Sequence, residues 1–511
     1  MFSKVNTAVC HGVTGITVTV ETDIKSGLPN MSIVGLASTT VMESRERIKS
    51  AIINSGFDYP RGRITVNLTP SDLRKNGSAM DLPIAVGLLA STLYADAVRV
   101  REYGIIGALS LDGEVLGVDG VLPMAIGMMD SGIKKIIVPW ANYNETALVN
   151  GAKVIPVNSL KECIERINSQ DASYADIERS LADADIRKVS NPKGLDFADI
   201  KGQENAKRAI SIAVAGRHGL LMIGSPGCGK TMLAQRIPGI MPQMSERELI
   251  ETAIVYSASG RTNQSDSILI DRPFRSPHNT IGRAGLLGGG MYPVPGEITL
   301  AHNGVLFLDE VCEFDRENIE SLRTPVEEKY ITHFRGGEQY IFPCNFQLIM
   351  AANPCKCGYY GDPDRICKCS ISQLEQYRRK LSGPMMDRID IRVSMEKVAY
   401  KEISGKGDSC RSTEELKNDV ARGIGFARSM GRMVFNADIS DSDIRKYCHM
   451  DNEACKLMDG AYAALSLSPR SYNKILKVAR TIADMDESEI IKKDHLAEAL
   501  SYRLLNEINN S

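Results

Sequence analysis

No stretch of the 511 residues approaches the run of about 20 apolar residues that a helix needs to cross a bilayer. The opening stretch, MFSKVNTAVCHGVTG, has neither the basic nor the apolar region of a secretory leader. A soluble, cytoplasmic protein is therefore expected, with no membrane partner. An excess of one charge sign is also missing: 61 Lys and Arg stand against 63 Asp and Glu, a formal net charge of −2. Such a chain has no overall attraction for nucleic acid or anionic membrane, so a polyanion would have to be held by a local basic surface. Twelve cysteines are too few for a disulfide scaffold at this length. No internal repeat or low-complexity tract is found.

What is present divides the chain. With 43% apolar residues it can bury more than one core, and two to four domains are expected. Residues 1–168 alternate strand-like stretches (GITVTVETDI, RITVNL) with a helical one (VMESRERIKSAIINSG), which predicts an α/β domain. Residues 169–196 are charged, poor in large apolar side chains and contain NPKG, which suits a linker. Residues 197–397 read as a nucleotide-binding α/β domain. From 398 to 511 the periodicity is helical, as in YNKILKVARTIADM and KDHLAEALSYRLLNEI.

The strongest motif is GLLMIGSPGCGKTMLAQRI. Gly224, Ser225, Pro226, Gly227, Cys228, Gly229, Lys230 and Thr231 complete the G-x-x-x-x-G-K-[ST] pattern between an apolar strand and an amphipathic helix. Glycines let backbone N–H groups approach phosphates, and the helix N-terminus adds a positive dipole end. Lys230 is expected to reach the β- and γ-phosphates of ATP and Thr231 to ligate Mg²⁺. Downstream, NGVLFLDE reads as a buried strand delivering Asp309 and Glu310 to its C-terminal edge, Asp309 for Mg²⁺ and Glu310 for the attacking water. A chance glycine turn or a surface acidic pair would not be expected in this combination.

With RPFRSPHNTIGRAGLLGGGMYPVPGEITLAHNGVLFLDE, NPCKCGYYGDP and LSGPMMDRIDI, the chain resembles, over nearly its whole length, the ComM/YifB family of magnesium-chelatase-like AAA+ ATPases. The resemblance implies an N-terminal Lon-protease-like domain, an AAA+ core with a helix-2 insert and a pre-sensor hairpin, and a helical lid. It makes Asn353 the sensor that orients the lytic water, Arg388 the finger inserted by a neighbouring subunit and Arg470 the second sensor. A finger supplied in trans implies a ring, by family a homo-hexamer. Arg275, His278, Arg283, His333 and Arg335 lie in the segments that would face its pore and could track a phosphate backbone. In the Lon-like part, the peptidase serine aligns with Ala79, beside Ser78, and its lysine with Leu122, so the domain is expected to be proteolytically dead.

Cys355, Cys357, Cys367 and Cys369 form two C-x-C pairs nine residues apart, which can wrap a tetrahedral Zn²⁺; four reduced thiols in a loop are the alternative. Tyr359, Tyr360, Lys356, Arg365 and Lys368 give the same loop aromatic and basic character. The segment DISDS, residues 438–442, mimics a metal-dependent adhesion motif but sits where a helix cap is expected. The family implies a DNA motor, a helicase promoting branch migration during recombination of incoming DNA in natural transformation, with recombination proteins as possible partners. The alternative is a chelatase-type or protein-remodelling ATPase that does not act on DNA.

Overall fold

A computed structural model describes residues 1–36, 38–75, 77–146, 148–169, 194–261, 271–398 and 410–504. The N-terminal domain is built on a seven-stranded mixed sheet. Its strands are β1 (Phe2–His11), β2 (Thr14–Lys25), β3 (Asn30–Val34), β4 (Arg63–Thr69), β5 (Tyr103–Ile105), β6 (Lys135–Pro139) and β7 (Lys153–Val157), in the order β3-β4-β2-β1-β5-β6-β7. In β4 the fully buried Ile64, Val66 and Leu68 alternate with less buried residues, the period-two pattern of a sheet with one face on a core. Helix α1 (Asp81–Ser91) is buried all round, as its unbroken apolar sequence requires. β1 and β5 pair in parallel only at Asn6 and Gly104, then separate.

The second domain carries five parallel strands: β8 (Leu220–Gly224), β9 (Phe274–Arg275), β10 (Val305–Leu308), β11 (Gln347–Ala352) and β12 (Ile391–Met395), ordered β9-β10-β11-β8-β12. β10 and β11 are buried along their whole length, as expected of parallel strands covered on both faces. One face packs on α2 (Glu204–Gly216) and on the C-terminal helices, which share a single apolar core with it. The second domain is therefore continuous with the C-terminal helical region. Its longest members are α3 (Thr413–Ser429) and α4 (Pro469–Met485).

The two domains dock through helices Val121–Asp130 and Glu246–Ala258: Ala253, Leu249, Ile250 and Ile254 join an N-terminal core cluster. Leu122 N–H donates to Ser257 Oγ at 3.2 Å and Gly120 N–H to the Ser257 carbonyl at 2.9 Å. A second contact is made by the β1–β2 turn, where His11 stacks on Tyr340 with ring centroids 4.0 Å apart.

Most of the expected linker, residues 170–193, lies outside the described residues. Its last residue does not behave as linker. Asp196 caps the turn Phe197–Asp199, its carboxylate accepts from Thr413 N–H (2.7 Å) and Oγ1 (2.9 Å), and its carbonyl accepts from Arg236 Nε at 2.6 Å. The second domain thus begins before residue 197, because this carboxylate ties its entry to the C-terminal helix Thr413–Ser429. In DISDS, Ser440 Oγ accepts from Asp443 N–H at 3.2 Å ahead of the short helix Ile444–Tyr447, and Asp438 pairs with Lys329 at 3.4 Å. These are turn and surface contacts, in keeping with a cap.

Candidate active site

The phosphate loop joins β8 to the helix Lys230–Ile240. Gly227 (φ 83°) and Gly229 (φ 95°) take the left-handed conformation that a side chain would strain, turning the loop back over the helix N-terminus. Lys230 is only 7% exposed, and its Nζ donates to the carbonyls of Gly224 (2.6 Å) and Ser225 (3.2 Å) and to Asn353 Oδ1 (3.0 Å). A buried ammonium held by neutral acceptors at a helix N-terminus leaves positive charge uncompensated. That arrangement suits a polyanion.

Thr231 Oγ1 donates to Asp309 Oδ2 at 2.6 Å, joining the loop to the end of β10. A hydroxyl and a carboxylate oxygen at this distance, beside the phosphate loop, are hard donors of the kind Mg²⁺ takes. Glu310 has a left-handed backbone (φ 49°), costly for a non-glycine residue, and its N–H donates to Asp309 Oδ1 at 2.9 Å. The conformation leaves the Glu310 carboxylate exposed at the strand edge. Lys230, Thr231, Asp309, Glu310 and Asn353 are thus brought together beside the phosphate loop.

Arg388 and Arg470 gather elsewhere. Arg388 Nη2 pairs with Glu327 Oε2 at 2.8 Å and its Nε donates to the Arg323 carbonyl at 3.0 Å, while Arg470 pairs with the other oxygen of Glu327. One carboxylate therefore holds both arginines, apart from the Lys230–Asn353 and Thr231–Asp309 contacts. Lys474, one turn beyond Arg470, reaches Asp390 Oδ1 at 2.5 Å, and His218 Nδ1 lies 3.4 Å from its other oxygen. Burial opposes ionisation of Asp390, but the Lys474 charge and His218 outweigh it and hold the carboxyl far below the ordinary range. Glu327 and Asp390 carry no sequence signal: each is one acid among 63, with its partner far along the chain.

The four cysteine sulfurs converge. Cys355, Cys357 and Cys367 Sγ are 3.3, 3.7 and 3.5 Å apart pairwise, and all four lie within 4.8 Å of one another. A tetrahedron of sulfurs each about 2.3 Å from zinc has edges of about 3.8 Å, so the donor set fits that ion. Backbone N–H groups of Tyr359 and Lys368 hold the Cys357 thiol down to about 6. The loop aromatics pair with its own cations, Tyr359 with Arg365 at 4.9 Å and Tyr360 with Arg378 at 5.1 Å, rather than standing clear for bases.

Of the five residues expected to face a pore, two are engaged in the fold. Arg275 makes a bidentate pair with Glu297 (2.6 and 2.8 Å), and His333 Nε2 contacts the Leu287 carbonyl at 3.1 Å. Both contacts tie these side chains to neighbouring segments of their own domain, which removes them from a backbone-tracking groove. His278, Arg283 and Arg335 are exposed, Arg335 next to the Gly336–Gly337 turn of the hairpin Tyr330–Arg335/Glu338–Pro343. In the N-terminal domain, Cys10, Gly77, Ser78, Ala79 and Asp119 line a cavity of about 230 Å³. Leu122 is fully buried in the domain contact and offers no amine.

Comparison with known proteins agrees with this geometry. Residues 196–403 match the family described as magnesium chelatase, subunit ChlI, residues 20–142 match subunit ChlI of Mg-chelatase, and residues 411–503 match its C-terminal part. The chain is 40% identical over 510 residues to YifB of Escherichia coli K12, covering 99% of this chain and 98% of that protein. It is 38% identical over 496 residues to competence protein ComM of Haemophilus influenzae, covering 97% and 96%. Lon protease 2 of Bacillus subtilis is 30% identical over 277 residues, covering 50% of this chain and 48% of the protease. Among the described residues no helix is long and apolar enough to cross a membrane. With an assembled phosphate site, a parallel five-stranded core and near full-length identity, the chain belongs to the ComM/YifB family of magnesium-chelatase-like AAA+ ATPases and carries a Lon-like domain at its N-terminus.

Proposed function

We propose that the protein is a cytoplasmic, ATP-driven homo-hexameric motor that moves DNA strands, a helicase promoting branch migration when incoming single strands recombine. The observation that carries the ATPase part is the Lys230–Asn353 and Thr231–Asp309 pairing around one phosphate loop. Lys230 would draw the γ-phosphate, Glu310 would take the proton of the attacking water, and Asn353 would orient that water. Thr231 and Asp309 would hold Mg²⁺, which neutralises phosphate charge when bound.

The hexamer rests on where Arg388 and Arg470 stand. Both sit on Glu327; Arg388, as the finger, would meet a nucleotide held by a neighbouring subunit, so that hydrolysis requires a ring, while Arg470 would act as the second sensor from the lid. The DNA substrate is supported by the exposed Arg283 and Arg335, by the 68% exposed Phe334 at the hairpin tip, and by the name of the competence protein ComM. The Lon-like domain has Ala79 and Leu122 where a peptidase needs a nucleophile and a base, and serves here as a docking module. Recombination proteins are the partners this reading calls for.

Steady-state ATPase with single-stranded, forked and four-way-junction DNA tests the proposal, with Glu310→Gln as the blank. Stimulation by DNA together with ring formation is the expected result. Stimulation by unfolded polypeptide and not by DNA would instead favour a protein remodeller, for which the cavity at Ala79 is the one supporting observation.

A further inference from the structure

The cysteine loop does more than connect two strands of the ATPase core. It leaves β11 at Asn353, whose side chain holds Lys230, and its first sulfur, Cys355, is fully buried two residues later. Gly358, in a left-handed conformation (φ 85°), lies so close to the phosphate loop that a Cβ there would stand 2.6 Å from Pro226 Cδ and Cγ. Lys397, and to a smaller degree the nearby Ser225 hydroxyl, holds the Asp362 carboxyl down to about 2. Lys397, just beyond the strand that pairs with β8, clamps Asp362 and Asp364 at 2.9 and 3.4 Å. The loop then returns through Cys367 and Cys369 into the capped helix Ile371–Arg378. It thus forms one wall of the phosphate loop, lying against Pro226, and the cluster of four sulfurs closes its base.

We infer that Cys355, Cys357, Cys367 and Cys369 bind a single Zn²⁺ whose occupancy holds Gly358 and Asp362 against Pro226 and Ser225, so that the metal sets the protein's affinity for nucleotide. The inference rests on the ATPase reading of the phosphate loop and adds a regulator to it. On binding, the sulfurs enter the coordination sphere as thiolates and their protons pass to solvent, with no change of oxidation state. Without the metal, the sulfurs have nothing to gather them. The loop between Cys357 and Cys367 then loses its closed end, and the phosphate loop loses the contacts that order it before nucleotide arrives.

The test is a zinc titration read by nucleotide affinity as well as turnover. Full-length protein is stripped with a chelator under reducing conditions and freed of the chelator. Metal content is measured by atomic absorption and binding by a fluorescent ADP analogue with Mg²⁺ present. One zinc per chain is expected, and stripping should raise the Kd about tenfold, about the loss of one well-made contact. Re-addition of Zn²⁺, but not of more Mg²⁺, should restore it. Asp362→Ala should keep its zinc, show the same weaker binding when loaded, and lose little further affinity on stripping. Because Cys357→Ser could fail to fold, reversal by zinc in the unmutated chain and the Asp362→Ala result carry the decision. Equal nucleotide affinity in loaded and stripped protein, or tight nucleotide binding by protein that retains no zinc under any loading, overturns the inference and leaves the ATPase reading intact. Zinc-loaded protein that binds no nucleotide overturns the ATPase reading itself, and the inference with it.

Discussion

Replacing Asp390 with Asn removes the charge that holds the lid in register with the arginine-bearing strand end. Lys474 Nζ lies 2.5 Å from Asp390, and the two side chains are only 16% and 12% exposed. Gly219 N–H donates to the other carboxylate oxygen at 3.1 Å, and Arg503 donates nearby to the Ile389 carbonyl at 2.9 Å. The variant leaves a nearly buried ammonium with no counter-charge, beside the further cations Arg470 and Arg503. Removing one partner of a buried pair costs about 3–5 kcal/mol, and the residual exposure here brings the expectation to about 2–4 kcal/mol. At about 1.4 kcal/mol per factor of ten, amide exchange in the lid helix Pro469–Met485 should accelerate about 30- to 700-fold. Native-state hydrogen exchange reads this directly in a chain too large for a two-state melt.

The pH dependence follows from the sign of the Asp390 shift. Its folded pKa is depressed, so its contribution is complete above the unfolded value of about 3.9 and is lost as pH falls towards the lower folded value. The lid of the unmutated protein should therefore loosen below about pH 4. Asp390→Asn should lack this limb. A double variant, Asp390→Asn with Lys474→Met, should recover most of the lost protection. If the single variant changes lid exchange less than about twofold, or the double variant is no better than the single, the pair is not what anchors the lid.

Other perturbations address the reaction. Thr231→Ala breaks the 2.6 Å link to Asp309 and should lower kcat about 10²- to 10³-fold with nucleotide still bound, read by steady-state ATPase and by fluorescent ADP binding. Arg388→Ala should lower kcat about 10³-fold; mixing it with Glu310→Gln subunits should restore part of the rate, and no recovery would count against a finger acting in trans. Arg283→Ala with Arg335→Ala should weaken single-strand binding and flatten the slope of log K against log salt by about 1.4, as measured by fluorescence anisotropy across salt concentrations.

The catalytic loop and carboxylates were legible because their signal is contiguous. A glycine-rich turn between strand and helix, and an apolar strand ending in Asp309 and Glu310, declare their geometry within a few residues. The cysteine cluster was legible for the same reason, its two sulfur pairs separated by a short loop. Glu327 and Asp390 were not, because each acquires its role from partners brought by distant chain: Glu327 gathers an arginine 61 residues on and another on a lid helix. Arg275 and His333 misled in the opposite direction. Basic residues in a glycine-rich insert resemble free contacts in sequence, and only tertiary structure reveals Glu297 and the Leu287 carbonyl as their partners. Domain docking was invisible too, since nothing in the sequence ties Leu122 to Ser257, 135 residues further along the chain.

The stacking of His11 on Tyr340 makes the N-terminal domain a mechanical detent for the hairpin. The clasp comprises that stack, the 3.1 Å contact of His11 Nε2 with the Gln339 carbonyl and a 3.4 Å bond from Arg74 N–H to Glu338. Together these are worth about 1–3 kcal/mol, enough to keep an idle hairpin parked about 5 to 150 times more often than free. On the motor reading proposed above, a hold of that size would be a soft stop, overcome at each power stroke and re-engaged between strokes. His11→Ala should speed hydrogen exchange in Glu338–Pro343 by a comparable factor and raise the ATPase rate measured in the absence of DNA.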